Sequence, residues 1–361
     1  NTEFLINIPL KQILKKLEVG AHIIDLWINI NYNSFNITRK LGLKEFEYKK
    51  DFFGKTRTLL VKNKVSCTYM DTTPYGNIKL LNYTHNILAY LCLKYGNSIN
   101  KLPKKEVWLI GERSDTAQDN GYHFFKYCRE NYPELDIYYI VKSSSKDFEQ
   151  VAQFGNVVKY GSFKHYWLVS QATTYIGTHD LEYILPTPGF ELSSYREAKR
   201  VFLQHGVLGR KYVEYNKNFY EYPFDLFFVS SDCEKKLVED KYSYSEKEIK
   251  VTGLSRFDSL LKKEKEKNSI LLIPTWRDWI VTEEQFSNSE YFEKYYSLLT
   301  NQKSIQILEE SNLTIEFYIH YRMQQFIHHF DSINNNRIKI IKLGEVSVQN
   351  LIQRNKLMIT D

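Results

Sequence analysis

Two histidines stand directly after apolar, strand-forming segments of the chain. His205 follows Val201–Gln204 and precedes Gly206, and His320 ends the segment Ile315–His320. Residues that follow parallel strands form the ligand-binding edge of an open α/β sheet, so we expect both rings at such an edge. A neutral imidazole there can accept a proton from an attacking hydroxyl, which makes His205 a candidate general base. A histidine held by packing alone is the alternative.

Basic side chains accompany both histidines. Arg210 and Lys211 follow the first, Arg322 follows the second, and Arg277 stands in a third loop beside Thr275. A guanidinium group matches the geometry of a phosphate with two parallel hydrogen bonds. These residues together predict a phosphate-rich ligand. For Arg277, an exposed ion pair with the next residue is the alternative.

A fourth polar loop lies between the apolar segment Val107–Ile110 and a helix that begins near Tyr122. It carries Gly111, Asp119 and Asn120. Strand, glycine, polar loop and helix is the layout of a ligand-facing loop in an α/β sheet. Asp119 or Asn120 could instead serve only as the cap of the helix. A further histidine, His179, is a weaker candidate.

Several known motifs are absent from the sequence. It has no GxGxxG after the first α/β strand, no GxxxxGK[ST], no HExxH and no GxSxG. The four cysteines form no CxxC pair, and His328 and His329 are interpreted as solvated side chains of a helix. We therefore expect no metal and no cofactor, and a metal-independent transfer is the better prediction.

The elements that must position these residues alternate between strand and helix from about residue 104 onward. Seven strands are predicted before a charged break at 262–268 and four after it. Helix-length segments separate several of them, and one further helix is predicted at about 288–310. This alternation is typical of parallel, doubly wound sheets. Residues 21–84 instead indicate a small antiparallel meander, with turn chemistry at Pro74–Asn77.

The domain organisation predicted from these patterns has three parts. Residues 1–100 form a β-rich accessory region with a short N-terminal helix, residues 101–262 a first Rossmann-like domain, and residues 263–361 a second one that is incomplete. The fold class is therefore α/β, with a GT-B-like pair of Rossmann-type domains behind a small β-rich region.

Bulk composition limits the classes of partner that the chain is expected to bind. The chain has 361 residues and a formal net charge of +6, which is too modest for a dedicated nucleic-acid binder but suits a phosphate-rich substrate or an anionic membrane. Neither a signal peptide nor a long apolar segment is evident. A basic amphipathic stretch at residues 10–17 motivates peripheral membrane contact. We expect a cytoplasmic location on the inner face of the membrane.

Four of these segments, in this order, resemble the CDP-glycerol glycerophosphotransferase family of teichoic acid and capsule polymerases. They are Trp108–Gly121, Gln204–Gly206, Pro274–Asp278 and Ile319–His320. The end of the chain, Met358–Asp361, is similar to the beginning of the family's Thr-Asp-Tyr-Ser-Ser motif. Val207 departs from the pattern, because many members have threonine after His-Gly.

The resemblance implies an activity and a set of roles. Glycerol phosphate would pass from CDP-glycerol to a hydroxyl of a polymeric or lipid-linked acceptor, and CMP would leave. His205 would deprotonate the hydroxyl and His320 would hold the donor pyrophosphate. Arg277 and Arg322 would assist, with Thr360 and Asp361 leading into the donor pocket.

Three other functions stay open at this point. One is a ribitol-phosphate transferase of the same family. Another is a GT-B glycosyltransferase that uses a nucleotide sugar. The last is a non-catalytic module of capsule assembly. The sequence gives no oligomeric state.

Overall fold

The structure is a computed structural model, and it describes most of the chain in two compact units. The first unit ends at Ser255 and the second begins at Arg256. For nearly all of the described residues before 87, the structure gives the backbone alone. The described residues are 20–24, 26–32, 35–41, 57–61, 64–72, 78–99, 106–187, 189, 192–209, 213–261 and 267–361. The predicted helix before residue 20 and residues 262–266 of the charged break at 262–268 lie outside this set, whereas residues 267 and 268 begin a strand.

The first six strands pair in antiparallel fashion, as the turn residues predict. Four of them form a sheet in the order β1-β6-β5-β4, and β2 pairs with β3 in a separate hairpin. Their bounds are β1 Gly20–Ile24, β2 Leu26–Tyr32, β3 Phe35–Leu41, β4 Arg57–Val61, β5 Lys64–Thr72 and β6 Ile78–Asn86. Helix α1, Ile87–Ile99, follows directly.

A seven-stranded parallel sheet forms the rest of the first unit. Its strands are β7 Val107–Gly111, β8 Asp136–Val141, β9 Val157–Lys159, β10 Thr174–Gly177, β11 Lys199–Phe202, β12 Leu226–Val229 and β13 Ile249–Val251. Its helices are α2 Asn120–Asn131, α3 Phe148–Ala152, α4 Phe163–Gln171, α5 Ser193–Glu197 and α6 Asp232–Tyr242. Short 3-10 turns lie at Leu181–Ile184 and Lys217–Phe219.

The order of this sheet is β13-β12-β11-β10-β7-β8-β9. The strand order reverses between β7 and β10, and open α/β sheets bind ligands at such a switch point. All four residues of β10 are buried, because helices cover both faces of a parallel sheet. Phe202 at the end of β11 is fully buried and stacks on Phe224 at 4.5 Å.

The second unit repeats this architecture with a smaller sheet. Its strands are β14 Lys267–Leu272, β15 Thr314–Phe317, β16 Ile338–Ile340 and β17 Asn355–Ile359. Its helices are α7 Phe257–Leu260, α8 Glu283–Ser287, α9 Glu290–Thr300, α10 Gln302–Glu310 and α11 Val348–Arg354, with a 3-10 helix at Tyr321–Phe330. The strand order is β16-β15-β14-β17, so the switch point lies between β14 and β17.

An aromatic core holds the second unit together. Phe286 of α8 stacks on Phe326 of the 3-10 helix at 4.7 Å, and Phe317 of β15 contacts Phe330 at 4.8 Å. Burying several such rings contributes about 1.5–3 kcal/mol each. The single helix predicted at 288–310 is two helices, because Asn301 adopts an extended backbone and caps the second. The two Rossmann-type units of the predicted α/β fold are thus confirmed.

Candidate functional site

Side chains that follow β7, β10 and β11 gather at the switch point of the first unit. The predicted base, His205, is exposed there, three residues after the end of β11. The residue before it, Gln204, has a φ of 59°, which is uncommon for a residue with a side chain. Residues held in this region cost of order 1–3 kcal/mol and persist only where the surroundings over-determine them.

Asn120 is one of the groups that hold this turn. Its side chain is fully buried, and its amide donates to the carbonyl of Gln204 at 2.6 Å and to that of Leu203 at 3.3 Å. The side chain of Gln204 donates in turn to the carbonyl of Phe228 at 2.5 Å. The structure therefore places Asn120 behind the histidine loop, where it supports the backbone.

Glu234 of α6 holds the same loop from its other end. Its carboxylate accepts the N–H of Leu208 at 2.6 Å, and both the N–H and the hydroxyl of Ser230 at 2.7 Å. The side chain is 3% exposed. With both ends of the loop fixed by buried polar side chains, His205 stands on a rigid support. Gly206, next to it, has open space around its Cα.

The ring of His205 has two aromatic neighbours. Its Nδ1 lies 3.3 Å from the hydroxyl of Tyr215, and its face stacks on His179 with centroids 4.4 Å apart and ring planes 13° apart. Burial raises the pKa of Tyr215 to about 12, so this phenol stays neutral at physiological pH. When Nδ1–H donates to the Tyr215 oxygen, Nε2 keeps its lone pair and can accept a proton.

Glu112 organises the loop that follows β7. It is 1% exposed, and it accepts the backbone N–H groups of Gln118 at 3.0 Å, Asp119 at 2.8 Å and Tyr122 at 2.9 Å. Burial raises its pKa to about 7, and the nearby charge of Asp119 adds to the shift. Asp119 caps α2, as the alternative interpretation of this loop held. Gly111 is packed so closely that a methyl group there would overlap Ile184.

In the second unit, the loops after β14 and β17 meet at the switch point. Thr275 donates its N–H to the carboxylate of Asp361 at 2.7 Å and its hydroxyl to the Asp361 carbonyl at 2.8 Å. Arg277 forms an ion pair with the same carboxylate and donates to the Thr275 carbonyl at 2.9 Å. Burial opposes ionisation of Asp361, but the bonds from Thr275 and Arg277 outweigh it and lower its pKa. Thr360 is exposed beside them.

A cavity of about 980 Å³ opens beside this ion pair. Its wall includes Arg277 and Asp361 from the loops and Tyr291, Lys294 and Tyr295 from α9. The guanidinium of Arg277 lies 5.5 Å from the ring centroid of Tyr291. Aromatic rings beside cations and a carboxylate suit a polar ligand that also carries a flat ring.

His320 and Arg322 both lie close to the ring of one tryptophan. The ring of His320 is 5.9 Å from that of Trp276, and the guanidinium of Arg322 is 4.4 Å from the same tryptophan. Burial and the charge of Arg322 lower the pKa of His320, so the ring is neutral at physiological pH. Its Nδ1 accepts the N–H of Arg322 at 3.3 Å. The proton is therefore on Nε2, which can donate to a phosphate oxygen.

Sequence reasoning had not singled out Glu112, Tyr215 or Trp276, and it had recognised Gln204 only as part of the segment Gln204–Gly206. Glu112 and Trp276 stand within segments that had been recognised, so their positions were the only signal. Nothing in the sequence separates Tyr215 from the other tyrosines near it. The predicted phosphate-binding residues Arg210 and Lys211 lie outside the described residues.

Two further observations concern metals and membranes. Glu283, His328 and His329 place ligand atoms within 4.8 Å of one another on the surface, the one such group of three among the described residues. His329 Nε2 lies 2.7 Å from the Glu283 carboxylate. In the part of the chain that the structure describes, none of the helices is long and apolar enough to span a membrane.

Comparison with known proteins gives matches over most of the chain. The model of the family described as CDP-glycerol:poly(glycerophosphate) glycerophosphotransferase matches residues 93–361. The minor teichoic acid biosynthesis protein GgaB of Bacillus subtilis (strain 168) is 32% identical over 278 residues, which are 72% of this chain and 30% of GgaB. The chain therefore spans less than a third of the length of this relative.

The fold is similar to that of a solved structure. A variant of the wall teichoic acid polymerase TagF superposes with a TM-score of 0.50 at 15% identity, over 76% of this chain and 69% of that one. S. aureus MnaA in complex with UDP gives a TM-score of 0.46 at 14% identity, over 72% and 74%. The TagF match agrees with the α/β fold of the two units. Because the family model covers well over half of the sequence, the chain belongs to the CDP-glycerol:poly(glycerophosphate) glycerophosphotransferase family.

Proposed function

We propose that this chain transfers glycerol phosphate from CDP-glycerol to a hydroxyl of a growing teichoic-acid or capsular polymer. Family membership supports the donor class and the reaction type. The observation that carries the proposal for this chain is the surface imidazole of His205, mounted on a buried polar support at a sheet switch point. Ribitol phosphate is the second alditol that the same chemistry accommodates.

The chemical step requires a base and a site that stabilises charge. The acceptor oxygen attacks the β-phosphorus of the donor, its proton passes to Nε2 of His205, and the bond from phosphorus to the bridging oxygen of CMP breaks. Most of the rate gain in such transfers comes from positioning and from charge stabilisation. General base catalysis contributes typically 10²–10⁴-fold.

The donor is proposed to bind in the second unit. His320 would donate from Nε2 to the pyrophosphate, and Arg322 and Arg277 would offset its charge. Arg277 is held by Asp361, so it is positioned before the donor arrives. The cavity of about 980 Å³ beside Arg277 is large enough for a nucleoside, and the rings of Tyr291 and Tyr295 in its wall suit the flat ring of a nucleobase.

Donor binding can be tested apart from turnover. We expect calorimetry to show CDP-glycerol binding to the complete protein, and Arg277→Gln to weaken it about tenfold or more, because a hydrogen bond to a charged group contributes about 1.5–3 kcal/mol. Arg337→Gln is the matched control. Arg337 directly precedes β16 and donates to the side chain of Asn312, so it lies at the edge of the sheet opposite to the loop of Arg277. CDP-ribitol and UDP-sugars complete the panel. Preference for a UDP-sugar would contradict the proposal.

Peripheral binding to the cytoplasmic face of the membrane is part of the proposal. It depends on the basic stretch at residues 10–17, which lies outside the described residues. We expect the protein to co-sediment with anionic vesicles, and Lys→Glu changes in that stretch to reduce the bound fraction. Equal recovery of both proteins would contradict this part.

A further inference from the structure

The pairing of His179 with His205 follows from the register of two neighbouring strands. β10 and β11 are parallel, with Gly177 opposite Phe202. His179 lies two residues beyond that pair and His205 three residues beyond it. The sheet therefore delivers both imidazoles to the same place, where they stack at 4.4 Å.

His179 is held in its place by its own contacts. Its Nδ1 lies 2.9 Å from the hydroxyl of Thr178, which is fully buried, and the ring of Tyr183 meets it edge-on at 6.2 Å. The ring of His179 is half-buried whereas His205 is exposed. His179 is thus a fixed, half-buried ring against which the exposed ring of His205 stacks.

The surroundings keep His179 neutral. Its pKa is lowered to about 3 by burial, by the neighbouring His205 and by the charge of Arg113 on the loop after β7. Among the described residues, the ionisable groups near the pair also include Asp180, on the same loop as His179, and the phenols of Tyr183 and Tyr215. His179 therefore stays neutral at physiological pH.

We infer that His179 is a positioning residue whose neutral aromatic face orients His205 and stabilises the imidazolium that His205 becomes when it accepts the proton of the acceptor. A cation within about 6 Å of the centroid of an aromatic ring is attracted to its face. Because the positive charge of His205 exists only once the proton has moved, this contact is stronger in the transition state than in the ground state. The inference depends on the proposed role of His205.

Two substitutions of His179 separate an aromatic role from simple packing. His179→Phe keeps a flat ring that never titrates, and His179→Leu fills similar space without a π-face. Because His205 is exposed to water, we expect the contact with His179 to change the proton affinity of His205 by about fivefold, or about 1 kcal/mol. His328→Leu is the control, since His328 is exposed on the second unit.

The first readout is the NMR titration of the His205 ring, which needs no substrate. We expect the phenylalanine variant to titrate like the wild type, and the leucine variant to titrate about 0.7 pH unit lower, the equivalent of a fivefold loss of proton affinity. A leucine variant that titrates like the wild type, or a phenylalanine variant that behaves like leucine, would overturn the inference.

The second readout is turnover. In the leucine variant kcat falls by up to about fivefold with KM unchanged, and in the phenylalanine variant both are retained. Loss of kcat in both variants would also overturn the inference. If no CDP-alditol is turned over by the wild type, the proposed function fails, and the titration still decides whether the two rings are coupled.

Discussion

Replacing Asn120 by alanine should destabilise the first unit, although the substitution removes only a buried side chain. The substitution leaves the carbonyls of Leu203 and Gln204 without the donors they now have at 3.3 Å and 2.6 Å, in a site where Asn120 is fully buried. An unsatisfied buried acceptor costs about 1–3 kcal/mol, and the shorter bond is the stronger one, so we expect a total loss of about 3 kcal/mol. For a unit of this size that is about 6–12 °C in Tm.

The matched control is Asn131→Ala. Asn131 also donates to a backbone carbonyl, that of Tyr127 at 2.8 Å, but both groups are exposed and water can replace the bond. We expect a change within about 0.5 kcal/mol. Urea unfolding followed by fluorescence and circular dichroism gives both free energies of unfolding.

A third variant, Asn120→Asp, tests the direction of the hydrogen bonds. At pH 7 a carboxylate would face two carbonyl oxygens, so the loss should exceed that of alanine. At pH 4 the protonated acid can donate once and should recover part of the difference. An alanine variant no less stable than Asn131→Ala, or an aspartate variant as stable as the wild type at pH 7, would refute this account of the loop.

Three further predictions concern other described residues. Glu112→Gln should remove a pH dependence of stability. The pKa of Glu112 is raised to about 7 from an ordinary 4.5, so its protonation stabilises the folded state by about 3 kcal/mol below pH 4.5, and this contribution is lost as pH rises through 7. Unfolding measured at a series of pH values tests this expectation. Gly111→Ala should lower stability by about 1–3 kcal/mol because of overlap with Ile184, whereas Gly206→Ala, in open space, should not, as thermal melting will show. EDTA should leave CMP release unchanged, because none of the proposed steps uses a metal; loss of activity restored by Zn²⁺, for which Glu283 and its two histidines are the candidate ligands, would contradict the metal-independent prediction.

The strands of the parallel sheets were predictable because each is an apolar run bounded by turn residues. Predicted and observed bounds differ by up to three residues: Val107–Ile110 is observed as Val107–Gly111, and Ile315–His320 as Thr314–Phe317. Placing His205 and His320 after strands was likewise a matter of local pattern. The order of the strands, which creates the switch points, depends on long-range pairing that the pattern does not contain.

The supporting residues of the site could not be predicted in the same way. Asn120 follows a helix-cap pattern, yet its side chain bonds carbonyls 83 and 84 residues away along the chain. The positive φ of Gln204 has no signal, because glutamine rarely adopts it. His179 and Tyr215 meet His205 only once β10 and β11 have paired. Such contacts depend on tertiary structure and not on sequence spacing.

The most direct test of the central claim is CMP release by the complete protein incubated with CDP-glycerol and a lipid-linked or glycerol-phosphate acceptor. The account predicts release that requires the acceptor and falls by about 10²-fold or more in His205→Ala, with CDP-glycerol binding retained. His328→Ala, on the exposed surface of the second unit, should release CMP at the wild-type rate. Release by His205→Ala at the wild-type rate would contradict the role of the base, and no release from CDP-glycerol or CDP-ribitol would contradict the proposed function itself.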